Sequence, residues 1–90
     1  MTDAELHLIL RRAADAGVVL EPEAAEAHVA AGGDLARIVD ALALAREQHV
    51  PLDFYQATAL ELYGLDPLGI VREGARTPEG HIDFAALFPG

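Results

Sequence analysis

Residues 32–50 read GGDLARIVDALALAREQHV and carry the longest clear helical period in the chain. Gly32 stands where an earlier helix should stop, since glycine enters the left-handed region without steric cost. Asp34 is placed to cap the next helix, its carboxylate accepting from first-turn amides that have no partner. Leu35, Ile38, Val39, Leu42 and Ala45 then recur at i, i+3, i+4, i+7 and i+10, which is one apolar face. Ala41 and Leu44 add apolar surface beside it, so more than one element should pack here. Pro51 is expected to end the helix, because the residue before a proline is pushed out of the helical region. The stretch reads as a core helix.

Upstream, Thr2-Asp3-Ala4-Glu5 has the capping-box pattern, threonine as cap and glutamate three places on. Leu6, Ile9, Leu10 and Ala13 follow at helical spacing, and Gly17 should close that first helix. Val18-Val19-Leu20 is a short apolar link, after which Pro22 opens a second, alanine-rich helix over 22–31. Downstream, Asp53 is the expected cap of a fourth helix that Gly64 stops. Its apolar residues surround most of the circumference, the mark of a helix that is buried or meets another subunit. Asp66-Pro67 starts a fifth short helix carrying Leu68 and Val71 and ending at Gly74. Residues 76–81 read as a loop, and Asp83 as the cap of a final turn.

Sliding the chain on itself by 32 residues aligns its halves. Val18, Leu20, Ala25, Gly32, Asp34 and Ile38 fall on Val50, Leu52, Ala57, Gly64, Asp66 and Ile70. Stops, caps and core positions coincide, so the match carries structural meaning. The expected fold is all-α: a small bundle of about five short helices built from two stacked helical-hairpin repeats. The chain is read as one helical domain over 1–90, with repeats near 6–39 and 38–71 and a C-terminal loop and turn over 76–90.

With 52% apolar residues the chain has enough to build a core, but no cysteine to staple it, so self-association is one route to more buried area. A net charge of −9 repels a phosphate backbone, and so excludes nucleic acid and polybasic attachment to a membrane. Apolar runs such as 41–45 fall far short of a bilayer span, and the acidic start has no signal-peptide pattern. A soluble, cytoplasmic chain is expected. Serine, cysteine and lysine are all missing, which removes the common nucleophiles and the lysine of a phosphate-binding loop. Glu23, Glu26 and His28 do not share a helical face, and the four histidines show no ligand spacing, so no metal or cofactor is expected. Nothing here points to an enzyme.

At Glu26-x-His28 followed by Ala31-Gly32-Gly33-Asp34 the sequence resembles the bacterial flotillin-like protein A family, in the segment after its membrane anchor. Val39, Ala41, Leu42, Ala45, Leu52, Phe54, Ala57, Ala59, Leu62, Gly64, Asp66 and Leu68 continue the agreement, and Leu65 stands where the family has arginine. The resemblance implies a helical segment of an oligomeric scaffold that organises membrane microdomains, here without the anchor and the band-7 domain. The expected function is therefore a non-catalytic protein-interaction or assembly module. Its contact residues would be Phe54, Tyr55, Leu62 and Tyr63, joined by Phe84, Leu87 and Phe88 of the C-terminal turn. Its partner would be another protein or a second copy, with any membrane attachment indirect, through that partner. The alternative is a small ligand- or metal-binding regulatory domain.

Overall fold

The computed structural model describes residues 2–88. It is all-helical: α1 (Asp3–Asp15), α2 (Pro22–Ala30), α3 (Leu35–Glu47), α4 (Phe54–Leu62), α5 (Pro67–Glu73) and the single turn α6 (Phe84–Leu87). Every start but one has a side-chain cap. Thr2, Asp34, Asp53, Asp66 and Asp83 each accept from an amide of the first turn, while Glu21 at the head of α2 makes no such bond. Only Asp53 belongs to a reciprocal box, its own amide donating to the Gln56 side chain; the Thr2–Glu5 pattern delivers one arm alone.

The first four helices end alike. Gly17, Gly32, His49 and Gly64 all take positive φ just past the C-cap. The next residue then bonds back five places, as in Val18 to Ala13 and Val50 to Ala45, both 2.8 Å, which is the Schellman closure. Pro51 does not end α3, contrary to expectation. The helix stops at Glu47, and the left-handed His49 makes the break ahead of the proline. α5 finishes differently: the Arg76 guanidinium donates to the carbonyls of Ile70, Val71 and Gly74. An isolated antiparallel bridge, Arg76 with Ile82, pinches the loop that follows.

α3 is the hub, and its three apolar stripes explain why. Leu35 and Val39 face α1 and α2, packed with Leu6, Ala13 and Ala25. Ile38 and Leu42 meet Ala57 of α4. Ala41 and Ala45 meet Leu68 and Val71 of α5, where two methyl side chains let the helices approach closely. This α3–α5 contact is the most extensive in the molecule. Among the described residues α1 and α2 share little contact, and so do α2 and α4; each leans on α3 instead. Ile82, 3% exposed, plugs the α3–α5 cluster from the C-terminal side.

α1 and α3 are both 13 residues long and begin 32 residues apart, and α2 and α4, both nine long, repeat the interval.

Candidate interaction surface

α4 is short, capped at both ends and divided in two. Ala57 and Leu60 are fully buried, Ala57 against Ile38 and Leu42 of α3. Tyr55, Leu62 and Tyr63 are 70%, 85% and 70% exposed. Tyr55, Ala59 and Leu62 fall at i, i+4 and i+7, so the exposed apolar groups share one stripe. Isolated apolar side chains on a surface are ordinary; a stripe of them on one helix face is the candidate for a contact surface.

The seven aromatic and aliphatic residues singled out from the sequence separate by environment. Phe54 turns inward, packing on two core clusters with its ring edge-on to His28 at a centroid distance of 5.8 Å. Phe84 and Leu87 are half-buried on the α3–α5 cluster, as cover for the core. Tyr55, Leu62 and Tyr63 point to solvent, and Phe88 lies against Tyr63 with ring centroids 4.9 Å apart. The structure therefore gathers Tyr55, Leu62, Tyr63 and Phe88 outside and leaves the other three in packing roles.

Beside this stripe, α2 and α4 flank a groove. Its larger part, about 350 Å³, is walled by Ala31 and Gly33 on one side and by Tyr55, Ala59 and Leu62 on the other. A second hollow of about 260 Å³, with Ala24, Val19 and Phe54 in its lining, continues past Tyr55. His28 and Glu61 join the two walls, Nε2 to Oε1 at 2.7 Å. The Glu61 Oε2 also accepts the Asp34 amide at 3.2 Å. His28 is not the half-open histidine its polarity suggests, for its side chain is only 10% exposed. Its ring lies over Gly33, where a Cβ would collide with the imidazole. This accounts for the His28…Gly32-Gly33 spacing: the back-bonding residue is Val18, Val50 or Leu65 at the other three ends but Gly33 at α2, because the histidine takes the place of a side chain there.

Glu61 is the residue that sequence reasoning misses. It stands 33 positions from His28, and no period or motif links them. A second long-range pair is Arg37 with Asp66, Nε to Oδ1 at 2.9 Å with a second arm from Nη2, which ties α3 to the cap of α5. The Arg37 hydrogen bond holds the Asp66 carboxyl below the usual carboxylate range. Among the described residues no three His, Asp or Glu side chains converge as metal ligands. No helix among them is long and apolar enough to cross a membrane.

No family model matches this chain, and no solved structure does. Flotillin-like protein FloA of Alkaliphilus metalliredigens (strain QYMF) is 38% identical over 63 residues, 70% of this chain and 19% of that protein. Flotillin-like protein FloA 1 of Rhodopirellula baltica (strain DSM 10527 / NCIMB 13988 / SH1) is 40% identical over 47 residues, 52% of this chain and 14% of that protein. The chain therefore spans less than a fifth of the length of these curated relatives. The two matches support a flotillin-like relationship over that part of the chain.

Proposed function

We propose that this chain is a non-catalytic protein-interaction module, a helical segment of flotillin-like type that joins an assembly. The observation that carries the reading is the outward stripe of α4, where Tyr55 and Leu62 are 70% and 85% exposed and the C-cap Tyr63 follows at 70%, beside a groove joined by His28 and Glu61. A helix this apolar on its solvent side is best used by covering it with another protein. The partial likeness to flotillin-like proteins supports the same class of role. In this reading the domain is a tandem of 32-residue helical units, an interval supported by the spacing of α1 to α3 and α2 to α4. Any approach to a membrane goes through the partner, because the chain's acidity disfavours direct binding to anionic lipid.

Sedimentation velocity tests the proposal, run on the chain alone and mixed with a purified flotillin-like protein. Association with itself or with that protein is expected, and Leu62→Gln and Tyr63→Gln should weaken it at unchanged thermal stability. A chain that stays monomeric and unbound at high micromolar concentration would overturn it.

A further inference from the structure

The groove between α2 and α4 has the size and chemistry of a seat for one helix. The α2 positions along it, Glu21, Ala24, His28 and Ala31, fall at i, i+3, i+7 and i+10, so a single side of α2 lines it throughout. The low-numbered end of α2 faces the start of α4, and the high-numbered end faces Thr58 to Leu62, so both walls run the same way. At 1.5 Å per residue that wall is about 15 Å long, roughly three helical turns. Alanines on the α2 side admit a close helix axis, while Tyr55 and Leu62 offer large apolar contacts opposite. This is the geometry of helix-in-groove recognition, read by side chains at i, i+3/i+4 and i+7.

Charge says which helix. The lining of both hollows holds the carboxylates of Glu21, Asp53 and Glu61 and, among the described residues, no arginine. Glu61 is occupied by His28 and Asp53 by its capping box, whereas the Glu21 carboxylate makes no capping bond and no ion pair among the described residues. Elsewhere Arg12 and Arg37 are matched by Asp40 and Asp66, and Arg76 is committed to backbone carbonyls. A second copy of a −9 chain would bring like charge to this rim.

We infer that the groove receives an amphipathic helix from another protein, apolar along one stripe and flanked by Lys or Arg. The inference rests on the interaction-module reading and narrows it to one kind of partner. The probe is a fluorescein-labelled 18-residue peptide with leucines at helical spacing and lysines on its flanks, beside a counterpart with glutamate in place of every lysine. Binding to the full chain is followed by anisotropy at low and at physiological salt. The lysine peptide should bind, and Ala59→Gln and Leu62→Gln, which leave the net charge unchanged, should each weaken it at least tenfold. Leu8→Gln, an exposed apolar site on α1 outside both hollows, should leave binding intact, and the glutamate peptide should not bind. Amide shifts in a titration should concentrate over residues 21–31 and 55–62.

Equal binding by all variants, equal binding by the glutamate peptide, or no binding at all would each overturn the inference. Self-association of the unliganded chain that Leu62→Gln abolishes would also overturn it, while leaving the interaction-module reading in place. A monomer that binds neither peptide nor flotillin-like protein would remove both.

Discussion

His28 Nε2 and Glu61 Oε1 stand 2.7 Å apart and join the last turn of α2 to the last turn of α4. A carboxylate only accepts, so the imidazole donates from Nε2. Its Nδ1 is buried and has no hydrogen-bond partner among the described residues. Because Glu61 also accepts the Asp34 amide, one side chain ties α2, the turn into α3, and α4.

Glu61→Ala therefore strands two donors in one step, one of them on a side chain only 10% exposed. The loss should be about 1–3 kcal/mol, seen as a lower midpoint in urea unfolding with the slope unchanged. Glu61→Gln keeps an acceptor and should cost less. Equal costs for the two would mean the stem and the retained acceptor contribute nothing, and the whole effect would lie in the charged carboxylate.

The ring that Glu61 holds also dictates Gly33. A methyl group there meets the imidazole, so Gly33→Ala must displace His28 and break the pair. In a His28→Ala background the same substitution enters vacated space. The two changes should therefore be strongly non-additive, with a coupling of about 1 kcal/mol or more. Additive effects would show that the ring yields freely and that Gly33 is there for another reason.

Asp66 supplies a pH dependence with a definite sign. Its carboxyl is held below the usual range, first by the Arg37 hydrogen bond and with help from the Leu68 and Gly69 amides. A depressed folded-state value means stabilisation that is present above the unfolded value of about 4 and lost as pH falls through the folded one. Both partners are near half exposed, so solvent screening keeps the effect small. Wild type should be more stable than Asp66→Asn at pH 7, and the gap should narrow as the pH drops below about 4. A gap unchanged between pH 7 and pH 3 would contradict the assignment.

Helix starts are legible in this sequence because they are local. Asp34, Asp53, Asp66 and Asp83 each act within three residues of themselves, and all four cap as their spacing predicts. The stripes of α3 are legible for the same reason, being a matter of period alone. What the sequence hides is which side of an all-round apolar helix meets the core. Phe54 and Tyr55 are adjacent and alike, yet one packs on the core, half-buried, and the other faces water, a choice made by where α3 lies. The His28–Glu61 and Arg37–Asp66 pairs are hidden too, since each spans about thirty residues and depends on the packed helices to bring it together.

The end of α3 offers the last test, because it does with histidine what three other ends do with glycine. His49 sits at φ 57, in the position that Gly17 fills at α1, 32 residues earlier. A side chain in that conformation costs about 1–2 kcal/mol relative to glycine. Glycine in turn loses about 0.4–1 kcal/mol through the greater freedom of the unfolded chain. His49→Gly should then stabilise the fold by a net amount between zero and about 1.6 kcal/mol, the span of the difference between those two terms. The imidazole is exposed and forms none of the ion pairs found among the described residues, so little opposes the gain. Gly17→Ala should go the other way, since its new methyl group adopts positive φ and comes within 2.6 Å of the Arg46 Nε. Urea midpoints for the two variants should bracket that of the wild type. If His49→Gly lowers the midpoint, the histidine makes a contact worth more than its backbone strain, and the likeness of the four helix ends is only geometric.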